Sequence, residues 1–218
     1  MRRSKGILNK AVSRLFVTVL IGAVIFTAAN LRAQTIEKSL ATLGNGPTLG
    51  STRAPVSIVE FSDFHCSFCK KFWADTLPQL KASYIKKGQA RFTFRHFAIL
   101  GKFSEQAANA AECAREQGKF WEYHDKLFGN QGGLAFTDSK LRHYAQELKL
   151  NGRMFGQCID AGNYRRKVEG ETAVAASLGA RGTPTFFLNS RLLVGAQPFE
   201  AFRVVIEEEL KAKVAREK

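Results

Sequence analysis

The sequence predicts an α/β domain interrupted by a block of helices. Three observations carry this. "VSIVEFSDF", 56–64, is a run of β-type apolar residues, followed by helical spacing and a second apolar run, "ARFTFRHFAIL", at 90–100. The stretch from about 102 to 180 reads as helix after helix. "TPTFFLNSRLLVG", 183–195, then reads as two strands before a last helix.

The elements follow in order. "MRRSKGILNKAVSR" is a basic start, and "LFVTVLIGAVIFTAA", 15–29, is an uncharged apolar run of fifteen. "NLRAQ" follows, with Ala33 as a small residue before a cut, the pattern of a signal peptide over residues 1–33. A spanning helix needs about 20 apolar residues, so a cleaved leader is favoured over an uncleaved anchor at 15–29. Either one places the domain outside the cytoplasm, in a periplasmic or similar compartment where disulfides persist. Residues 34–54 hold a short amphipathic piece and a turn-rich run, "LGNGPTLGSTRAP".

The run at 56–64 reads as a buried strand. Helical spacing covers about Ser67 to Lys87, and Pro78 should kink or split that helix. In the second strand Phe92, Phe94 and a third apolar position near Phe97 alternate. Strand, helix and strand make a βαβ unit. Five helical segments then end near Gly118, Gly129, Leu150, Gly162 and Gly179. The third opens on Thr137-Asp138, a capping pair. A turn at Asn189-Ser190 joins the last two strands, and an amphipathic helix closes the chain. The domain reading is therefore a core over 55–101 and 182–218, split by a helical subdomain over 102–181.

Composition narrows the function. The chain has 218 residues, enough for one core plus an elaboration. Its net charge of +14 is uneven: six Lys/Arg and no acid lie within residues 1–33. The remaining charges are interspersed, with no Arg-rich run or nucleic-acid motif, and read as a solvated basic surface. Eighteen Phe against four Tyr suggest a Phe-packed interior.

Two of the four cysteines stand in "FSDFHCSFCKKFW". Cys66 falls where strand hands over to helix. Unpaired N–H groups and the positive end of the helix dipole stabilise a thiolate there. Cys69 lies one turn deeper. The expectation is an exposed, nucleophilic Cys66 and a sheltered Cys69, an asymmetry suited to thiol–disulfide exchange. A structural zinc site would need a second closely spaced pair, which Cys113 and Cys158 do not form. His65 could tune the thiol or simply be exposed.

"VEFSDFHCSFCKKF", "GARGTPTFFLN" and, between them, "AAECAREQGKFWEYHDKLF" together resemble the DsbA-like branch of the thioredoxin superfamily, over roughly residues 48–215. The resemblance implies a thioredoxin-like fold with a helical domain inserted between its βαβ and ββα halves. It implies an exported protein-disulfide oxidoreductase without a cofactor, with Cys66 attacking and Cys69 resolving. Glu60 matches the acidic position beneath the active site, where a buried carboxylate has a raised pKa and can exchange a proton with Cys69. A Glu on the solvent face is the alternative. Thr183-Pro184 resembles the cis-proline loop, placing the Thr183 backbone beside Cys66 to pair with an extended substrate. His65, Ser67, Phe68, Thr183 and Pro184 would then meet substrate.

Implied partners are newly exported proteins and a membrane redox protein that reoxidises the pair. Ser67-Phe68 differs from the Pro-His of the best-known oxidases, which leaves a reductase or isomerase open beside a disulfide donor. A metal-holding or chaperone-like binder is the non-enzymatic alternative. No dimerisation arm is evident, which favours a monomer.

Cys113 and Cys158 lie in helices of the insertion among apolar or small neighbours. In an oxidising compartment they are expected to form a structural disulfide. Two buried, inert thiols are the alternative. His96, His124 and His143 read as packing or surface residues, and Trp73 and Trp121 as core.

Overall fold

The computed structural model describes residues 30–216, the Arg216 side chain excepted. The apolar run at 15–29, assigned to a leader or anchor, lies outside the described residues. Ala33 falls in helix α1, residues 30–42. Among the described residues no helix is long and apolar enough to cross a membrane.

The centre is a five-stranded mixed sheet in the order β1-β3-β2-β4-β5. β2 (Val56–Ser62) runs parallel to β3 (Ala90–His96), with Val56 opposite Ala90 and Ser62 opposite His96. β4 (Thr185–Leu188) pairs antiparallel with β2 and with the edge strand β5 (Arg191–Val194). β1 is only Thr48–Leu49, antiparallel to β3, too short for a strand pattern to appear in sequence. β2 is covered on both faces, which is why it reads as a continuous apolar run. The last two strands join through Asn189-Ser190, with Asn189 at φ 51°.

The helix after β2 widens in two places. α2 (Ser67–Lys71) and α3 (Leu77–Leu80) alternate with π-helical turns at Phe72–Thr76 and Lys81–Ile85. Pro78 sits in the first turn of α3, where its missing N–H costs little. Between β3 and β4 come α4 (Lys102–Glu116), α5 (Phe120–Gly129), α6 (Asp138–Glu147), α7 (Gly152–Ala161) and α8 (Arg165–Ser177). α9 (Phe199–Arg216) ends the chain.

Three expectations need correction. Thr137 is the N-cap of α6, but its hydroxyl donates back to Leu134 O, so it does not cap the helix. α9 is only partly amphipathic: Phe202 and Ile206 are buried, whereas Val204 and Val214 face solvent. In β3 the residue that follows Phe92 and Phe94 on one face is His96. Phe97 has left the strand and packs across the sheet with Phe61 and Phe187.

Phenylalanine fills the interior: eleven of the twelve largest fully buried side chains are Phe. On one face Phe72, Phe186 and Phe202 meet with ring centroids 4.5–5.5 Å apart. Truncating one to Ala removes about 3–5 kcal/mol. On the opposite face α1 and α8 bring Ile36 and Ala175 onto Phe61 and Phe187. The third cluster belongs to the insertion and is continuous with the Cys66–Cys69 turn through Phe64 and Phe94. The insertion therefore shares its core with the sheet domain at the place where the CxxC lies.

Candidate active site

Cys66 is the N-cap residue of α2, with extended backbone (φ −84°, ψ 121°). Its N–H donates to Asp63 O at 3.0 Å, and its carbonyl accepts from Lys70 N–H at 3.1 Å. Cys66 and Cys69 are both free thiols. The expected exposure of Cys66 is not found: it is 6% exposed and Cys69 0%. Its cover comes from far along the chain, where the Thr183 carbonyl accepts from Sγ at 3.3 Å. Exposure passes to the next residues, Ser67 and Phe68, the latter 63% exposed.

The two sulfurs are electrostatically unlike. The Cys66 thiol is lowered from 9.0 to about 6, first by a hydrogen bond from Cys69. Burial opposes this, while the Thr183 side chain and the backbone N–H groups of Cys69 and Phe68 reinforce it. The helix N-terminus thus contributes but does not lead. Burial pushes Cys69 well up, and its bond to Cys66 and the charges of Glu60 and Cys66 push the same way.

Glu60 is 1% exposed, between Phe94 and Phe186 of the flanking strands, so the solvent-face alternative is wrong. Burial raises its carboxyl from 4.5 to about 8. The Ser62 hydroxyl eases this in part without a bond of ordinary geometry, and the Cys66 charge adds to it. Such a group can hold or release a proton near neutral pH.

The Thr183–Pro184 peptide is cis, with Pro184 buried and Thr183 partly exposed. His65 is partly buried, its ring 6.2 Å from Phe103 and 5.8 Å from Phe136, so it is packed on one side. Two residues beside this turn had no sequence signal. The Asp63 carboxylate accepts from the N–H groups of His65 (2.8 Å), Ile99 (2.9 Å) and Leu100 (3.1 Å). The Gln131 amide donates to Phe64 O (2.6 Å) and Cys66 O (3.0 Å).

The other cysteines, Cys113 of α4 and Cys158 of α7, are joined by a disulfide with their Cα atoms 5.8 Å apart. Among the described residues no group of three or more His, Cys, Asp or Glu is placed to hold a metal. His124 is fully buried, its Nδ1 2.8 Å from Asp125, which also accepts from Trp73 Nε1. His96 is more than packing. Its N–H donates to Glu171, and its Nε2 lies 3.1 Å from Glu112. Lys167 bridges both carboxylates, and Arg95 binds Glu171. These partners hold both carboxyls below the usual carboxylate range despite their burial. Arg95 also donates to Leu43 O and Gly44 O, and Arg115 to Asn45 O. A Cβ on Gly46 would lie 2.8 Å from the Arg95 guanidinium carbon, so a side chain there would push the guanidinium aside.

A CxxC pair at a strand-to-helix junction, beside a cis-proline loop in this topology, defines a thiol–disulfide oxidoreductase of thioredoxin-like fold. The comparisons agree. A family model described as thioredoxin matches residues 42–208. Disulfide bond formation protein D of Bacillus subtilis (strain 168) is 30% identical over 182 residues, covering 77% of this chain and 78% of that protein. The structure of oxidised BdbD from Bacillus subtilis superposes with a TM-score of 0.72 at 30% identity, covering 76% of this chain and 93% of that one. For the fold alone, alpha-DsbA2 from Wolbachia pipientis gives 0.71 at 23% identity, covering 84% and 97%. The chain belongs to the thioredoxin family, in its DsbA-like branch with an inserted helical domain.

Proposed function

We propose that Cys66 and Cys69 are the redox centre and that the chain donates their disulfide to exported proteins. The observation that carries this is the inequality of the two thiols, one lowered to about 6 and the other pushed well up. A dithiol whose reduced form is held as a thiolate is the more oxidising one. This supports a donor over a reductase.

The exchange runs in two displacements. A client thiolate attacks Cys66 Sγ of the oxidised pair, forming a mixed disulfide and expelling Cys69 as thiolate. Cys69 takes a proton, which the Glu60 carboxyl can supply. The client's second thiolate attacks its own bridged sulfur and releases Cys66 as thiolate. The client loses two electrons and the Cys66–Cys69 pair gains them. An external two-electron acceptor must then restore the disulfide, the role of a membrane redox partner.

Ser67 and the exposed Phe68 flank the attacked sulfur and would meet the client. The Thr183 backbone would pair with it in extended form, with Pro184 and His65 bordering the contact. Cys113–Cys158 serves as a structural disulfide. Equilibration with glutathione buffers tests the reading. Oxidation of a reduced model protein, with Cys66–Cys69 reduced more readily than glutathione disulfide, supports a donor. A pair more reducing than glutathione overturns it in favour of a reductase.

A further inference from the structure

We propose that Gln131 is a positioning residue for the redox centre: from the α5–α6 loop of the insertion it grips two carbonyls of the active-site turn, fixes Cys66 over the first-turn N–H groups, and so sets the redox poise. The inference rests on Cys66 being the sulfur that exchanges with the client.

The geometry is specific. One primary amide carries two N–H bonds, and both end on the turn, at Phe64 O and Cys66 O. These carbonyls bracket His65, where the strand becomes helix. Cys66 O already accepts from Lys70 N–H, so the amide adds a second bond to an acceptor that begins the helix. On its other side the turn is held by Asp63, through the N–H of His65. The turn is thus clamped from the sheet by a carboxylate that takes N–H groups and from the insertion by an amide that binds carbonyls. The loop makes a further contact six residues past Asn130, where Phe136 packs on the His65 ring.

The consequence for chemistry follows from where the N–H groups of Phe68 and Cys69 point. They stabilise the Cys66 thiolate only if Sγ stays over them. A turn freed on one side samples positions in which it does not. The thiolate is then less favoured, its pKa rises, and the pair becomes less oxidising. No chemistry passes through Gln131 itself.

The experiment uses the full chain in its reduced form. Cys66 ionisation is followed by thiolate absorbance against pH, and the Cys66–Cys69 equilibrium is measured in glutathione buffers at pH 7. Gln131→Met keeps the length and removes both donors. Gln131→Glu keeps the shape and puts a carboxylate against two carbonyls. Gln117→Met, on the insertion's surface, controls for general loosening. The expected result is a thiolate midpoint raised by about one unit in Gln131→Met and by more in Gln131→Glu, with Gln117→Met unchanged. From a midpoint near 6, one unit lowers the oxidising equilibrium constant about fivefold at pH 7. If Gln131→Met does not fold, Gln131→Asn, one methylene short, carries the same expectation. Folded variants whose midpoint and equilibrium match the unsubstituted protein, whatever their melting temperature, overturn the proposal. An unsubstituted midpoint near 9 would instead overturn Cys66 as the lowered thiol, a separate failure.

Discussion

The two cysteine pairs lie in one continuous apolar cluster, and all four sulfurs are buried, yet they are in opposite states. Cys113 and Cys158, 45 residues apart, are joined; Cys66 and Cys69 are free thiols. Burial therefore does not distinguish a staple from a reactive pair. What differs is the polar company. Cys66 and Cys69 have each other, a helix start, Thr183 and a carboxyl raised to about 8 beneath them. Around the joined pair stand alanines, Phe155 and Tyr123, with Glu116 reaching only the edge of Cys158. Between two buried pairs, the reactive one is the pair whose neighbours hold a thiolate charge.

The sharpest break between the pairs is chemical. Cys66→Ser should lower exchange with a reduced client by a thousandfold or more (about 4 kcal/mol in the barrier). Given a disulfide-bonded client, Cys69→Ser should instead accumulate mixed disulfides: Cys66 attacks the client's disulfide, one client sulfur leaves as thiolate, and no Cys69 remains to resolve the bridge, so client adducts appear on non-reducing gels. Activity remaining in Cys66→Ser would mean that the sulfur that exchanges with the client lies elsewhere.

Replacing Cys113 and Cys158 by Ala should act on folding alone. A loop of this size gives about 4 kcal/mol by the chain-entropy estimate. Denaturant titration should show most of that loss, with exchange by the folded protein changed less than about threefold. A comparable loss of exchange would make the second pair part of the redox chemistry.

Glu60→Gln should slow turnover about tenfold, a modest general acid–base effect. It should also remove a pH dependence. The carboxyl is raised, so its contribution is unpenalised below 4.5 and stability falls as pH rises through about 8. The variant should be more stable than the parent at pH 7, by on the order of 3 kcal/mol. Equal stabilities at pH 5 and pH 8 in both proteins would contradict the burial effect.

A last effect separates the redox states. The Cys66 thiol is depressed, so its stabilising contribution is complete above 9.0 and lost as pH falls through about 6. It exists only in the reduced form. The stability of reduced relative to oxidised protein should therefore rise between pH 6 and 9, measured by paired thermal melts.

How much of this was legible follows from how far apart the interacting residues stand. The CxxC, its place at a strand end and the Thr-Pro loop are local patterns, and the βαβ and ββα halves follow from them. The Phe-rich core was legible as composition. That Thr183, 117 positions away, stands beside Cys66 was legible through the family resemblance; that Cys66 is thereby buried was not. Gln131 reaches across 65 positions from a loop with no motif. His96, Glu112 and Glu171 look like surface residues in sequence because nothing there shows that they meet. α4 and α8 bring them together only after folding.

Those buried charges also reach the N-terminal segment. Arg95 and Arg115 close on the carbonyls of Leu43, Gly44 and Asn45, where α1 ends. The sheet thus treats that stretch of backbone as a counter-charge, not as a tether. A chain trimmed to begin at β2 would leave the buried Arg95 guanidinium with Glu171 alone. Tension applied through α1 would therefore reach the sheet at two strands at once: at β3 through Arg95, and at β2, the strand that feeds the redox turn, through Ile36 on Phe61.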